Sequence, residues 1–258
     1  MTVVFVHGVP ETPALWDSVR RLIPQESVAL RLPGFGSARP PHLTDKDGYA
    51  DWLAGELLAI GEPVDLVGHD WGGHLAMRVV SAYADVPVRS WVSDVVYGWH
   101  PDYQWHAAAT LWNKSPEGEE SLSAIRAAVP GSGGTFGDVL RTRGMTADFA
   151  AEVDAAHDET MSAAILALYR SAWPNFHIDW GTAVTGPIDT PGLVLMPTGD
   201  DLEGVTQDAE LVVAQNVELA RRFGAQLARL DGLSHYWMLQ EPERAAKTLQ
   251  EFWAELPR

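Results

Sequence analysis

The sequence predicts an α/β protein with a doubly wound, mostly parallel sheet and an inserted helical lid. Three observations predict this class. Short, continuous apolar runs alternate with segments of helical pattern along most of the chain. Most of these runs end at a glycine or at a polar turn. A long middle stretch shows no clear strand, and the strand pattern resumes after it. The 258 residues are enough for one large domain, or for a core that carries such an insertion.

Six apolar runs are predicted to be strands because each is short, continuous and bounded by turn residues. Continuous runs of this length suit strands that are buried on both faces, as in a parallel sheet. In such sheets, ligands bind at the carboxyl ends of the strands. The runs cover residues 2–6, 27–32, 64–68, 90–96, 192–196 and 225–230, and helices are expected at 49–60, 72–83, 208–223 and 242–256.

The stretch from residue 98 to residue 187 interrupts this alternation. It is rich in Trp, Ala, Gly and Pro, it has helical patches, and its segment 130–137 is a glycine-rich loop. An insertion between two strands predicts a helical lid over the strand ends. The expected organisation is a core at 1–97, a lid at 98–187 and the rest of the core at 188–258.

Composition limits the partners. The formal net charge is −17, so phosphate backbones and anionic lipids would be repelled, and neither nucleic acid nor a membrane surface is expected. The absence of cysteine excludes disulfides, thiolate catalysis and Cys-ligated zinc. The first residues lack the basic region of a signal peptide, and no apolar run is long enough to span a bilayer. A soluble, cytoplasmic protein is therefore expected.

The strongest chemical signal is Gly-His-Asp-Trp-Gly-Gly at 68–73, where a predicted strand meets a predicted helix. A tight strand-to-helix turn brings backbone atoms together, so side chains at Gly68 and Gly72 would clash. The turn projects Asp70 from the sheet at a helix N-terminus, where N–H groups stabilise a carboxylate. Asp70 is therefore predicted to be a nucleophile, and the alternative is an Asp that caps the helix.

Together with His-Gly-Val-Pro-Glu-Thr at 7–12, this turn resembles the α/β-hydrolase-fold epoxide hydrolases and is similar to the haloalkane dehalogenases. The resemblance covers most of the chain. It implies that Asp70 attacks carbon to form an alkyl-enzyme ester. It also implies that no cofactor and no metal is needed, and the aromatic lid favours a small, apolar substrate. Opening of an epoxide to a vicinal diol is the activity expected first. A haloalkane dehalogenase and a non-catalytic binding protein are the alternatives.

The resemblance also indicates the base and the acid. His235 follows the last predicted strand, just before the final helix, and is expected to activate the water that hydrolyses the ester. A carboxylate is needed to fix the tautomer of this histidine. The ungapped match places Asp201 at the family's acid position. Asp200, one residue away, and Asp94, after the strand that follows the nucleophile turn, are the alternatives.

Other site residues follow from the same resemblance. The N–H groups of Val9 and Trp71 are expected to stabilise an oxyanion, and a cis peptide bond is expected before Pro10. A Tyr-Arg pair in the predicted lid resembles the family's lid pair. Its Tyr169 is expected to donate a proton to the epoxide oxygen, and Tyr103 is the candidate for a second lid tyrosine.

Dehalogenation would need N–H donors for the leaving halide. The Asn that many dehalogenases carry after His-Gly is Val9 here, so Trp71 would need a second tryptophan from the lid. His100 and His106 lie in the predicted lid without a partner motif. The lid tryptophans available for this role are Trp99, Trp105, Trp112, Trp173 and Trp180.

The position of His7 bears on assembly. It comes so early in the chain that the family's first strand or two are expected to be missing or shortened. A sheet edge exposed in this way is one that a second copy of the chain could cover, so a homodimer is among the expected states.

Overall fold

A computed structural model describes residues 1–199 and 209–256 of the chain. In this part of the chain, six parallel strands form one sheet in the order β2-β1-β3-β4-β5-β6. The predicted parallel sheet is thereby confirmed, and each predicted run contains or overlaps one strand. The strands are β1 (Val3–Val6), β2 (Ser27–Leu30), β3 (Val64–Gly68), β4 (Val88–Ser93), β5 (Gly192–Pro197) and β6 (Gln226–Leu230).

Helices cover both faces of this sheet. None of the helices in the described ranges is both long and apolar enough to cross a membrane. The α-helices are α1 (Asp17–Arg20), α2 (Lys46–Ile60), α3 (Trp71–Ala82), α4 (Ala107–Trp112), α5 (Glu117–Ala127), α6 (Phe136–Thr142), α7 (Ala147–Ala156), α8 (Glu159–Ser171), α9 (Trp180–Ala183), α10 (Ala209–Phe223), α11 (Trp237–Gln240) and α12 (Pro242–Glu255).

Alternation along the central strands explains why they read as continuous apolar runs. On β1, Val4 and Val6 join one buried cluster, whereas Val3 and Phe5 join the cluster on the opposite face. Successive side chains of a strand point to opposite faces, so a strand covered on both sides must be apolar at every position. The strand β6 differs because it lies at the edge of the sheet, and only its last residue, Leu230, is fully buried.

The chain between β4 and β5 forms helices α4 to α9 and no strand, in a range that the structure describes throughout. The helix starts in this segment are specified locally. Thr135 and Asp138 form a reciprocal capping box at α6, and Thr146 caps α7. This helical segment lies within the range for which the sequence predicts a lid, and a lid function for it stays a prediction.

Candidate active site

The turn between β3 and α3 holds Asp70 in a rare backbone conformation. With φ of 48° and ψ of −123°, Asp70 is the one non-glycine residue with positive φ in the described ranges. Such a conformation costs on the order of 1–3 kcal/mol and persists only where its surroundings enforce it. A Cβ atom on Gly68 would clash with the Gly72 carbonyl, and one on Gly72 would clash with the Val6 carbonyl. The two glycines therefore permit the sharp turn that the sequence predicts.

A backbone amide from another loop holds the Asp70 carboxylate. Although Asp70 precedes the first residue of α3, its side chain makes no capping hydrogen bond to that helix. Instead, the Val9 N–H donates to Asp70 Oδ1 over 2.9 Å. The peptide bond between Val9 and Pro10 is cis, as predicted. The Val9 N–H is thus placed to stabilise negative charge on a carboxylate oxygen, and the helix-capping alternative loses support.

Buried groups fix the loop that carries Val9. The His7 ring donates from Nδ1 to the Gly8 carbonyl over 2.8 Å, and its Nε2 accepts from the Leu32 N–H over 3.1 Å. Burial lowers the pKa of His7 to about 3, so the ring is neutral and serves both contacts. The Gly8 N–H donates to Glu11 Oε2 over 2.7 Å. The loop is therefore held in place before any ligand binds.

One cavity of about 270 Å³ gathers most of the predicted site residues. Asp70, His235, Tyr169 and Val9 all line it. Trp71 is buried, with its ring centroid 5.2 Å from that of Tyr169. Much of the remaining wall is apolar and comes from the helical segment between β4 and β5, with Ala108, Trp112, Ile125, Phe136 and Val139 among its residues.

Three fully or nearly fully buried side chains meet beside Asp70. The nearest ligand atoms of Glu11, His69 and His235 all lie within 4.8 Å of one another. Glu11 Oε1 and His69 Nε2 are 3.9 Å apart, and neither has a hydrogen-bond partner among the described residues. Buried polar atoms left in this way are commonly bridged by an ordered water molecule, which needs two to four polar partners. The gap is therefore suited to a water molecule beside His235.

Neighbouring groups shift the pKa of both residues that face this gap. Burial alone would lower the pKa of His69, but the Asp94 carboxylate outweighs burial and raises it. Burial also raises the pKa of Glu11 to about 7, against the opposing charge of His69. Glu11 Oε1 and His69 Nε2 can each form a hydrogen bond with a water molecule placed between them.

Both oxygens of Asp94 accept hydrogen bonds from groups in or beside the turn between β3 and α3. Its Oδ2 accepts from His69 Nδ1 over 2.5 Å and from Trp237 Nε1 over 2.7 Å, while its Oδ1 accepts from the Asp70 N–H over 3.1 Å. Burial would raise the pKa of Asp94, but the adjacent His69 charge lowers it overall. Both oxygens of this carboxylate are thus used in orienting His69 and the Asp70 backbone. This arrangement weakens the alternative in which Asp94 is the direct partner of His235.

The other two acid candidates, Asp201 and Asp200, lie outside the described residues. A hydrogen bond holds the residue that precedes them: the Gly199 N–H donates to the Leu233 carbonyl over 2.8 Å. This bond joins the end of β5 to the loop that carries His235. An acid just after Gly199 stays a prediction.

The alpha/beta hydrolase family matches residues 3–248. This chain is a member of that family. Its fold is similar to epoxide hydrolase VrEH1 from Vigna radiata, with a TM-score of 0.73 and 14% identity over 99% of this chain and 91% of that chain. It is likewise similar to haloalkane dehalogenase DbeA from Bradyrhizobium elkani, with a TM-score of 0.70 and 18% identity over 98% of this chain and 91% of that chain.

A shorter likeness is to a protein of Mycobacterium tuberculosis named "Probable oxidoreductase EphD". It is 35% identical over 79 residues, which are 28% of this chain and 13% of that protein. The match therefore spans a small part of the mycobacterial protein. The structural likenesses show a common fold, and the side chains of this hydrolase must indicate its chemistry.

Together with Tyr236, Tyr169 presents a phenol to the cavity of this alpha/beta hydrolase. It lies on α8, is 2% exposed, and packs edge-on against Trp71, Trp105 and Trp112 at centroid distances of 5.0 to 5.2 Å. Burial raises the pKa of Tyr169 well above its ordinary value, and the charge of Asp70 adds to the effect. The hydroxyl therefore stays protonated near neutral pH and can donate a hydrogen bond.

His106 lines the cavity, although the sequence analysis assigns it no role. Its Nδ1 accepts from the Ala109 N–H at the start of α4, so a neutral ring carries its proton on Nε2. That atom lies 3.5 Å from the Tyr169 hydroxyl. The ring is thus set to donate weakly to the phenol oxygen, which leaves the phenol proton for another acceptor. A polar residue directly before an Ala-rich helix was the one available signal, because it indicates a cap.

Tyr103, the candidate second tyrosine, has a less direct place. It is half-buried and packs against Tyr97 and Trp105, with centroid distances of 5.7 and 5.1 Å. It is not among the residues that line the cavity. A substrate contact for Tyr103 stays a prediction.

Proposed function

We propose that this hydrolase opens epoxides to vicinal diols through a covalent ester on Asp70. One observation carries the proposal: a carboxylate on a nucleophile turn and a protonated, buried phenol line the same cavity as His235. A carboxylate can attack the epoxide carbon while a phenol protonates the oxygen that leaves that carbon. The helical segment between β4 and β5 would serve as the lid, since it supplies Tyr169 and the apolar wall.

In the first step, Asp70 attacks a ring carbon. Since Oδ1 is held by the Val9 N–H, we assign the attack to Oδ2. A new C–O bond forms as the ring C–O bond breaks, and the ring oxygen takes its proton from Tyr169. The ring oxygen becomes strongly basic as its bond to carbon breaks, so it can take a proton from a neutral phenol. The products are a hydroxyalkyl ester and a Tyr169 phenolate.

In the second step, water attacks the Cγ atom of the ester. We place this water in the gap between Glu11 Oε1 and His69 Nε2, where His235 takes its proton. The N–H groups of Val9 and Trp71 would stabilise the tetrahedral oxyanion. The ester C–O bond then breaks, and the leaving alkoxide takes the proton from His235 to complete the diol. The Asp70 carboxylic acid returns its proton to the Tyr169 phenolate.

An acid must hold His235 in the reactive tautomer. Because Asp94 is occupied by His69, Trp237 and the Asp70 backbone, we assign this role to Asp201, with Asp200 as the alternative. The assignment follows the position that the family uses for its acid.

Mass spectrometry of the intact protein after an epoxide pulse tests the proposal. His235→Ala should accumulate a covalent adduct equal in mass to the epoxide, because alkylation proceeds while hydrolysis stops. Asp70→Asn should accumulate none, and exposed His42→Ala should behave like wild type. Absence of an adduct on His235→Ala across styrene-type and aliphatic epoxides would contradict the proposal and favour a non-catalytic binding protein.

One observation supports haloalkane dehalogenation as a second candidate. The indole N–H groups of Trp71 and Trp105 are buried without a hydrogen-bond partner among the described residues, and their rings stack 6.3 Å apart. Two such donors could stabilise a leaving halide. Bromide release from a bromoalkane is the measurement that separates the candidates. Tyr169→Phe should abolish epoxide turnover and would spare dehalogenation.

A further inference from the structure

One arginine side chain brings positive charge to the cavity that Asp70 and His235 line. Of the residues found to line this cavity, Arg143 is the one lysine or arginine. It lies just after α6, is half-buried, and also borders a second cavity that adjoins the first at Val139. Arg143 is therefore a partly solvent-exposed residue of the same cavity that Asp70 and His235 line.

The charge of Arg143 is not neutralised within the described part of the protein. No carboxylate of residues 1–199 or 209–256 forms an ion pair or hydrogen bond with its side chain. Arg141, two residues earlier, is by contrast paired with Asp138 at 2.7 Å and faces Asp154 at 3.8 Å. The chain has 35 acidic residues and 18 lysines and arginines. An arginine that pairs with none of the described carboxylates can bind an anion from solution.

The position of Arg143 is set by an ordered loop. Asp138 accepts hydrogen bonds from the N–H groups of Gly131 and Gly133, at 2.7 and 2.8 Å. The Gly137 N–H donates to Asp154 over 2.6 Å. These bonds fix the start of α6, and Arg143 closes its other end through backbone bonds to the last turn. The backbone of Arg143 is thus held at the end of a helix whose start is fixed by hydrogen bonds.

We infer that the substrate of this site carries a carboxylate remote from its reactive carbon, and that Arg143 binds it. The inference rests on the proposed epoxide hydrolase function and names its substrate class. The guanidinium can form two parallel hydrogen bonds with a carboxylate. The cavity that Arg143 and Asp70 both line also has Val139, Phe136 and Ile125 in its wall, and these apolar side chains suit a hydrocarbon chain. An ω-epoxy carboxylate matches all three parts of this site: its carboxylate fits Arg143, its hydrocarbon chain fits the apolar wall, and its epoxide fits Asp70.

Matched substrates isolate the charge. The probes are ω-epoxy carboxylates of increasing chain length and their methyl esters, which keep the shape and lose the charge. The measured quantity is kcat/KM for the carboxylate divided by kcat/KM for its ester. We expect this ratio to fall about tenfold in Arg143→Gln, as a half-exposed charge-assisted pair would give. Arg143→Lys should keep part of the ratio, because it retains the charge without the fork.

Arg221→Gln is the matched control, since Arg221 is an exposed arginine outside the cavity. It changes the net charge equally, so any effect of the overall acidic field appears in it as well. We expect its ratio to stay within about twofold of wild type. Equal ratios in Arg143→Gln and Arg221→Gln would overturn the inference and leave the epoxide proposal standing.

Binding gives a readout that needs no turnover. In the Asp70→Asn background, tryptophan fluorescence can follow binding of a saturated carboxylate and of its methyl ester, because Trp112 lines the cavity. We expect Arg143→Gln to weaken binding of the carboxylate about tenfold relative to that of the ester. If wild type opened no epoxide yet this loss appeared, the epoxide proposal would fail and the anion site would stand.

Discussion

At the residue scale, burial of Glu11 lowers the stability of the protein when its carboxyl group is charged, and the same group is proposed to bind the hydrolytic water. Its pKa is raised from 4.5 to about 7, chiefly by burial. The folded protein therefore binds more protons than the unfolded chain between these two values, so stability falls as pH rises through this window. Wild type should lose stability from about pH 5 to about pH 8, whereas Glu11→Gln should not. We therefore expect the free energy of unfolding of the variant, relative to that of wild type, to be about 3 kcal/mol higher at pH 8 than at pH 5. Urea unfolding at both pH values measures this.

At about pH 8, where Glu11 is charged, the same substitution should slow hydrolysis of the ester by about tenfold, because the water would lose a charged acceptor. Decay of the adduct in a single turnover is the measurement, and exposed Glu56→Gln is the control for both experiments. A gain in stability that is equal at the two pH values would show that Glu11 does not titrate in this window.

The residues that the sequence could locate are those tied to a motif. The glycines around Asp70 and the chain position of His235 carry such signals, and the structure brings both residues to one cavity. His106 and Glu11 gain their places through distances of 3.5 and 3.9 Å to other chain segments. Pattern and spacing do not report such distances, because they depend on how the helical segment packs against the sheet.

At the element scale, the strands could be predicted because burial on both faces leaves a continuous apolar signal. The short helix α1 and the 3-10 turn before it (Pro13–Trp16) could not be predicted, since four-residue elements have no periodicity to read. The edge strand β6 was found, although its exposure was not foreseen: its side chains are mostly open to solvent because no strand lies beyond it.

One buried ion pair joins β3, which leads into the turn at Asp70, to the neighbouring strand β4. Asp65 on β3 is 1% exposed, and it accepts from Arg89 at 2.9 and 2.6 Å and from Ser90 at 2.5 Å. We expect Arg89→Met to lower the free energy of unfolding by about 3 kcal/mol, because it leaves a buried carboxylate without its cation. Denaturant unfolding measures the change.

Arg229→Met is the matched control on the edge strand β6, since the pair of Arg229 with Asp231 is exposed. Its change should stay below about 1 kcal/mol. Similar losses in Arg89→Met and Arg229→Met would mean that burial of the Asp65 pair adds nothing to the stability of the sheet.

At the scale of the whole molecule, the helical segment between β4 and β5 shares its core with the sheet. One buried cluster contains Val4 and Leu66 from the sheet together with Trp112 and Ile165 from that segment. The cluster on the opposite face likewise joins Phe5 to Phe149, among others. With no boundary between the two cores, the segment and the sheet should unfold together.

An ion pair at this junction makes cooperativity testable. Lys46 on α2 is buried, and its ammonium lies 2.6 Å from Asp179 and 3.0 Å from Asp47. Asp179→Asn keeps the oxygen that caps α9 through the Trp180 N–H and removes the charge. We expect a loss of about 2 kcal/mol, less than for a fully buried pair because Asp179 is half-exposed.

This loss should move the fluorescence and circular-dichroism unfolding curves by the same amount, because tryptophans of the inserted segment and helices throughout the molecule report one transition. Exposed Asp85→Asn is the control and should move neither curve. If Asp179→Asn split the transition into two steps, the inserted segment would be an independently unfolding unit. Its opening could then admit substrate without loosening the sheet that holds Asp70.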